Sequence, residues 1–197
     1  MSPEFESSAA RLRHSALQHG LAGQAAQEGP VVPRAKAFLL EAREIQLAAH
    51  RAGLPGDEVA KLRSDAIDIV IDALYLRAGP AAASLTLVAT GGYGRAELCP
   101  LSDIDLLVLV PAHTAETKQA VETILYPLWD VGLKVGQSVR TVAEAADYAR
   151  NDLHLHVALL ETRLLCGERS QFAQLEVRLS ELLSGEAWQP LAKAIVE

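Results

Sequence analysis

The chain has few cysteines, few aromatic residues and no long apolar run. Its 197 residues include two cysteines, and 5% of them are aromatic. Cys99 and Cys166 lack the spacing of metal ligands, and they indicate a reducing compartment rather than a disulfide framework. No run approaches the roughly 20 apolar residues that span a bilayer, and residues 1–20 lack the apolar core of a signal peptide. These absences predict a cytoplasmic protein without a membrane partner.

Basic charge is scarce as well. Lysine and arginine number 18 against 25 aspartates and glutamates, so the net charge is −7, and the isoelectric point is near 5.4. Proteins that bind nucleic acid normally present a basic face or stripe, so we expect no nucleic-acid partner. The chain is 50% hydrophobic, and a chain of this length can bury one sizeable core within a single domain.

Apolar periodicity divides the chain into helices and strands. Residues 1–33 are rich in Ala, Ser, Gln and Gly and predict a loosely ordered helical arm with a linker, and residues 34–197 form the domain proper. Apolar stripes predict a helical hairpin at 33–52 and 56–77. The other predicted elements are helices at 114–130, 142–150, 152–165 and 170–183 and a strand at 133–141. The carboxyl end falls within an apparent helix, so we expect a truncated domain.

Residues 91–105, with the sequence GGYGRAELCPLSDID, join a glycine-rich turn to two aspartates. Apolar and β-branched residues on either side predict strands at 85–90 and 104–110. Because side chains alternate along a strand, Asp103 and Asp105 lie on one face at adjacent positions. The second strand is apolar on both faces after Asp105, which predicts a central strand covered by helices on both sides.

Paired carboxylates and a glycine turn together predict a metal-dependent nucleotide site. Two like charges held this close are costly unless a cation neutralises them, and carboxylate oxygens favour Mg²⁺ or Mn²⁺. Gly91, Gly92 and Gly94 allow close approach of the backbone to a ligand, and amides in such a turn can bind phosphate oxygens. Either feature alone is more often structural. Their combination in strand, turn, strand order favours the functional interpretation.

The same residues resemble a known family. The segment GGYGRAELCPLSDIDLL is similar to the signature of the bacterial protein-PII uridylyltransferases, a branch of the DNA polymerase β-like nucleotidyltransferase superfamily. The likeness continues through residues 125–130, 132–141 and 159–167, and it covers roughly residues 85–170. It implies an α/β (α+β) nucleotidyltransferase fold, with a small mixed β-sheet flanked by helices and an amino-terminal helical hairpin.

The resemblance also implies an activity and roles for residues. The expected reaction transfers UMP from UTP to a tyrosine of the PII nitrogen-signalling protein and releases pyrophosphate. Asp103 and Asp105 would hold the catalytic Mg²⁺ or Mn²⁺ ions. Gly91 and Gly92 would position the triphosphate, with Gly94 in the same turn, and Ser102 would contact a phosphate oxygen.

Two charged residues after the turn have open roles. For Arg95, a phosphate contact and a structural ion pair with Glu97 or Glu161 are equally favoured, and Glu97 itself is expected to be structural. The superfamily often supplies a third carboxylate from a later strand, but the predicted strand at 133–141 carries no acid. Glu161 is the next internal candidate. The competing interpretation makes Glu161 an ordinary exposed or ion-paired helix residue.

Some of the sequence has a more ordinary interpretation. His154 and His156 diverge by about 200° on a helix, so they cannot share a metal ion there.

The resembled family also carries a uridylyl-removing hydrolase domain and glutamine-sensing domains after the transferase, and no segment of this chain resembles them. Two alternatives stay open: a transferase of the same fold with another acceptor or nucleotide, and a non-catalytic nucleotide-binding regulatory module.

Overall fold

The computed structural model describes residues 1–152 and 157–184. Short 3-10 helices at Gly23–Gln27 and Gly79–Ala82 supplement the main elements. The helices are α1 (Pro3–Gln18), α2 (Val31–Arg51), α3 (Gly56–Ala78), α4 (Gly91–Gly94), α5 (Ala115–Asp130), α6 (Val142–Asn151) and α7 (Arg169–Ser184). The strands are β1 (Thr86–Ala89), β2 (Ile104–Leu109), β3 (Val135–Arg140) and β4 (Arg163–Gly167).

The strands form one mixed sheet in the order β3-β2-β1-β4. Strand β1 pairs antiparallel with both β2 and β4, and β2 pairs parallel with β3. The parallel register places Asp105 opposite Gly136 and Leu107 opposite Ser138. This mixed sheet, flanked by helices, confirms the predicted fold class.

Strand β2 is buried on both faces, as its apolar sequence predicts. Leu106 and Val108 belong to a large core cluster that includes side chains of α1, α2, α3 and α5. Leu107 and Leu109 belong to a smaller cluster on the other face, with side chains of α6 and α7. Each fully buried leucine stabilises the fold by about 1.5–3 kcal/mol. The sheet therefore separates two apolar layers of unequal size.

Helices α2 and α3 form the predicted hairpin on the face of the large cluster. The predicted apolar stripe of α2 is buried throughout, from Phe38 to Ala49. The buried face of α3 includes Ile67 and Ile71, whereas Leu76 near the end of the helix is 42% exposed. A helix that packs against both α2 and the sheet region buries more than one stripe.

Helix α1 packs more tightly than the loose arm that the sequence predicts. Its side chains Phe5, Ala9, Leu12 and Ala16 are at most 4% exposed and join the large cluster. Ser2 caps the helix, and its hydroxyl also donates to Glu58 at 2.6 Å, which ties the helix start to α3. The division of the chain into residues 1–33 and 34–197 stays a prediction.

The prediction of a helix at 152–165 is wrong for the second half of that range. Residues 163–167 form β4, which pairs with the free edge of β1. A short apolar run such as Leu164–Leu165–Cys166 fits either element, and helical periodicity cannot decide between them. Residues 157–159 are helical, whereas His154 and His156 lie outside the described residues. No helix within 1–152 and 157–184 combines the length and the apolar character that crossing a bilayer requires.

Candidate active site

Asp105 lies at the second position of β2, between β1 and β3. The backbone amide of Thr90, directly after β1, donates to the carbonyl oxygen of Asp105 at 3.1 Å. The glycine turn begins at the next residue and forms α4, with a φ of 58° at Gly91. A Cβ on Gly91 would lie 3.7 Å from Oδ2 of Asp105. The fold therefore brings the turn and this carboxylate together at one end of the two central strands.

Asp103 immediately precedes β2, and its charge acts on Asp105. Burial raises the pKa of the Asp105 carboxyl above its ordinary value, and the neighbouring Asp103 raises it further. Both residues are accessible to a ligand. A divalent cation would relieve the repulsion, and the oxygen donors suit a hard ion such as Mg²⁺.

A third acidic ligand is not grouped with this pair. Across the described residues, no cluster of three or more His, Cys, Asp or Glu side chains has the geometry to hold a metal ion. Mg²⁺ sites often use one or two carboxylates, with water and substrate phosphates completing the coordination. Asp103 and Asp105 therefore fit a metal that arrives with a triphosphate.

Gly136 is the β3 residue next to the Asp105 carboxylate. It faces Asp105 directly in the parallel register. A Cβ at this position would lie 2.8 Å from Oδ1 of Asp105, closer than real Cβ atoms approach an oxygen. A side chain at position 136 would require the Asp105 carboxylate to shift, so glycine leaves that carboxylate its space.

Arg95 forms the structural ion pair that was one of its two predicted roles. Its Nε lies 2.9 Å from Oε2 of Glu97, and its Nη1 pairs with Oε2 of Glu161. The hydrogen bonds with Glu97 and Glu161 raise the pKa of the Arg95 guanidinium above its ordinary value. The predicted structural role of Glu97 agrees with this geometry.

Glu161 lies in the segment before β4 rather than on a helix, which corrects its predicted setting. Its carbonyl oxygen rests against α4, and a Cβ on Gly94 would overlap it. Glycine is therefore required at position 94 for this close approach. The role of Glu161 as a metal ligand stays a prediction, as do the nucleotide contacts of Gly91, Gly92, Gly94, Ser102 and Arg95.

Ser102 lies on the exposed connection between α4 and β2. Its backbone amide donates to the carbonyl oxygen of Cys99 at 3.2 Å. Two non-glycine residues of this connection have positive φ values, 60° at Ala96 and 69° at Leu101, and Leu101 is 90% exposed. Such conformations cost about 1–3 kcal/mol each and cluster at functional sites.

Three residues that sequence reasoning missed hold α4 in place. The hydroxyl of Tyr93, which is 1% exposed, donates to Oδ1 of Asp68 on α3 at 2.6 Å. Arg163 of β4 donates to both carboxylate oxygens of Asp68, at 2.6 and 3.2 Å, and to the carbonyl oxygen of Tyr93 at 3.2 Å. We call these three residues the Asp68 clamp. It joins α3, α4 and β4 behind the glycine turn.

The clamp leaves one trace in the sequence. Asp65, Asp68 and Asp72 recur at helical spacing on α3, a helix that is otherwise largely apolar. Asp72 lies on the same side of the helix and accepts the thiol of Cys166 at 2.9 Å. Acidic residues that are partly buried require partners, but the spacing does not identify which partners they find.

A pocket of about 360 Å³ opens beside Asp105. It follows the face of β2 and β3 that carries Asp105, Gly136 and Ser138, and it reaches Arg140. Leu107, Ala145 and Leu159 contribute apolar walls. Asp105 thus borders both this cavity and the glycine turn.

Comparison with known proteins agrees with this geometry. A model of the nucleotidyltransferase domain family matches residues 79–192, more than half of the chain. A bifunctional uridylyltransferase/uridylyl-removing enzyme of Rhodopseudomonas palustris is 40% identical over 166 residues, covering 83% of this chain and 18% of that protein. A protein of the same name from a Bradyrhizobium species is 38% identical over 208 aligned positions, covering 99% and 22% respectively.

A third relative of that name, from Aromatoleum aromaticum, is 46% identical over 126 residues. The alignment covers 64% of this chain and 14% of the relative. The chain therefore spans about a fifth of the length of the curated relatives it matches.

Proposed function

The chain belongs to the nucleotidyltransferase domain family, and from that membership we propose that it transfers UMP from UTP to a tyrosine of the PII nitrogen-signalling protein. It is an enzyme domain of the nucleotidyltransferase type. The observation that carries the proposal is the meeting of Asp103, Asp105 and the glycine turn at one sheet edge, in a chain whose relatives are named uridylyltransferases. UTP as donor and PII as acceptor follow from the resemblance of the signature segment.

Asp103 and Asp105 would hold Mg²⁺ or Mn²⁺ in this proposal. When bound, such an ion neutralises charge on the triphosphate and fixes it for in-line displacement. The two carboxylates contribute by position, since β2 holds Asp105 rigidly between its neighbouring strands. Gly136 leaves Asp105 the space it needs.

The glycine turn would receive the phosphates. The first amides of α4 have no acceptor within the helix because the first turn of any helix leaves its N–H groups unpaired. We assign Gly91 and Gly92 to the triphosphate, with Gly94 keeping the turn seated on the Glu161 carbonyl. Arg95 lies beside Gly92, and Ser102 lies on the exposed connection to β2. We include both among the phosphate contacts.

The proposed reaction is a single displacement at phosphorus. The hydroxyl oxygen of the acceptor tyrosine forms a bond to the α-phosphorus of UTP. The bond from that phosphorus to the oxygen bridging the β-phosphate breaks, pyrophosphate leaves, and the hydroxyl proton passes to solvent. Alignment of the two reactants accounts for much of the rate in such sites.

The whole protein is part of the proposal. We propose that a uridylyl-removing hydrolase domain continues the chain, in keeping with the name and length of its relatives. Glutamine-sensing domains after it follow from the resemblance of the signature segment alone. We also propose a cytoplasmic location, where thiols remain reduced, because Cys99 and Cys166 are free.

The test is to incubate the protein with PII, Mg²⁺ and either UTP or ATP and to record intact masses of PII. We expect one uridylyl group on the PII tyrosine and no adenylyl group. The Asp103→Asn, Asp105→Asn double variant is expected to lose both transfer and metal-dependent UTP binding in calorimetry. Its thermal stability should be equal to or slightly higher than that of the wild type, because charge repulsion is removed.

Asp130→Asn provides the matched control, since Asp130 is an exposed aspartate at the end of α5. This variant should behave like the wild type. Unchanged UTP binding in the double variant would contradict the site assignment. Binding of UTP without transfer, with PII present, would instead identify a non-catalytic nucleotide-binding module.

A further inference from the structure

The pocket beside Asp105 extends from Thr90, the residue before the glycine turn, across β2 to β3. The order β3-β2-β1-β4 places β2 in the middle, with the turn continuing from β1 and the pocket extending over β3. The volume of about 360 Å³ is at the small end of the range for ligand sites. This cavity next to Asp105 is available to the nucleoside of a triphosphate whose phosphates follow the turn.

The parallel register decides which β3 residues the nucleoside meets. Gly136, Ser138 and Arg140 are paired with Asp105, Leu107 and Leu109, and they share the face that carries the Asp105 side chain. Gly136 leaves the floor open next to Asp105. Ser138 and Arg140 lie further along the same cavity and supply its polar groups at that end.

Arg140 is already oriented without a bound ligand. Its Nε donates to the hydroxyl oxygen of Ser138 at 2.8 Å, and its guanidinium carbon lies 3.5 Å from the centre of the Tyr148 ring. In the part of the chain that the structure describes, no carboxylate forms an ion pair with Arg140, unlike Arg95 and Arg163. A guanidinium only donates hydrogen bonds, so its Nη groups suit a ligand with acceptor oxygens.

The acceptor oxygens could belong to the phosphates or to the nucleoside, and the distance along β3 distinguishes the two. The Cα atoms of Gly136 and Arg140 are four residues apart on a strand, or about 13 Å. Phosphates that bind at Asp105 and the glycine turn lie on the far side of this span. A nucleoside in this pocket would extend across the span and bring the exocyclic carbonyl oxygens of its base to Arg140.

We propose that this pocket is the nucleoside subsite and that Arg140, supported by Ser138 and Tyr148, selects a base with ring carbonyl oxygens such as uracil. The inference rests on the proposed function and deepens it. Uracil offers carbonyl acceptors to the two Nη donors, whereas adenine presents an amino donor at the corresponding edge. A site built to hydrogen-bond one base rejects an analogue that lacks the matching group.

The test compares three ligands in calorimetric titrations with Mg²⁺: UTP, ATP and inorganic tripolyphosphate. In Arg140→Ala, we expect UTP affinity to fall by about 10- to 100-fold, the size of a lost hydrogen bond to a charged group. ATP and tripolyphosphate affinities should be unchanged. Arg140→Lys keeps the charge but not the paired donors, so it should also lose the preference for UTP over ATP.

Arg150→Ala is the matched control, because Arg150 is an exposed arginine of α6 whose partner is Asp147. It should bind all three ligands like the wild type. Equal weakening of all three ligands in Arg140→Ala would overturn the inference and make Arg140 a phosphate contact. Unchanged UTP binding in that variant would overturn it as well.

The two proposals fail in different ways. A wild-type protein that binds no UTP would overturn both. A wild-type protein that binds UTP through Arg140 but leaves PII unmodified would overturn the proposed transfer to PII and leave the nucleoside subsite standing. Circular dichroism and thermal unfolding of each Arg140 variant would show whether loss of the Tyr148 contact disturbs the fold. If Arg140→Ala unfolds, Arg140→Lys still tests the preference for UTP over ATP.

Discussion

Asp105 carries a proton more tightly in the folded protein than in the unfolded chain. Burial is the larger cause of its raised pKa, and Asp103 is the smaller one. In the metal-free protein, the stability that this group contributes is present below its ordinary pKa of 3.8 and is lost as pH rises through the raised pKa. Protons and metal ions therefore compete for the same carboxylate.

Asp103→Asn is expected to lower the pKa of Asp105 part of the way to its ordinary value. It removes the charge of the neighbour but leaves the burial. The measurement is a carbon NMR titration of the Asp105 carboxyl in the metal-free protein between about pH 3 and 7. Asp130→Asn should leave this titration unchanged. An unaltered Asp105 pKa in Asp103→Asn would mean that the two carboxylates do not interact.

Substitutions at Gly92 and Gly94 should differ in their effect on the stability of the fold. A Cβ on Gly92 would lie 3.7 Å from Arg95 Nη2 and 3.8 Å from the Glu97 carbonyl oxygen, which are ordinary contacts. Gly92→Ala should keep the unfolding free energy within about 0.5 kcal/mol and weaken UTP binding about tenfold, because a methyl group intrudes on the phosphate surface. Urea denaturation and calorimetry measure the two effects.

Gly94→Ala should lower the stability of the fold as well as UTP binding. Its methyl group would overlap the Glu161 carbonyl, so we expect a loss of about 1–3 kcal/mol in unfolding free energy. UTP binding should fall as a consequence of the displaced turn. A Gly94→Ala protein as stable as the wild type would show that the segment before β4 does not rest on α4.

At the scale of elements, the Asp68 clamp decides how rigidly the glycine turn is held. It connects α3 and β4, which lie on either side of α4 in the chain and are far apart in sequence. Arg163 and Tyr93 share one acceptor, so removal of the Asp68 carboxylate leaves two donors without their partner. A partly buried donor that loses its acceptor lowers the unfolding free energy by more than its hydrogen bond contributed.

Asp68→Asn should lower the unfolding free energy by about 1–3 kcal/mol. Asp65→Asn is the control on the same helix, because Asp65 pairs with Lys61 in a half-exposed i, i+4 pair, and it should cost about 0.5 kcal/mol or less. Asp68→Asn should also weaken UTP binding, since α4 loses its tether, whereas Asp65→Asn should not. Equal unfolding free energies of the two variants would contradict the clamp.

The elements differ in how well the sequence predicted them. The strand, turn and strand around Asp105 were predictable because apolar and β-branched runs and glycine content are local signals. Strand β4 was mistaken for a helix, since its pairing with β1 involves residues about 80 positions away. The contact of Asp68 with Arg163 spans 95 residues and is likewise invisible to local periodicity. The metal and nucleotide roles of the site residues stay predictions.

At the scale of the whole molecule, α1 belongs to the same core as the hairpin. Phe5 is 3% exposed in the large cluster, and Leu17 on the same helix is 65% exposed. Phe5→Ala should lower the unfolding free energy by about 3–5 kcal/mol through a buried cavity. Leu17→Ala should stay within about 0.5 kcal/mol of the wild type. If urea denaturation gives similar unfolding free energies for both variants, residues 1–33 are loosely ordered, as the sequence predicts.

The two cysteines also have contrasting environments. Cys166 is buried, and its thiol donates to Asp72. Burial, with Asp72 as the second cause, raises the pKa of the Cys166 thiol well above its ordinary value, so almost no thiolate is present at neutral pH. Cys99 is exposed on the connection that leads from the glycine turn to Asp103. The natural chain thus offers one attachment point for a maleimide dye, at the rim of the site, without any engineered cysteine.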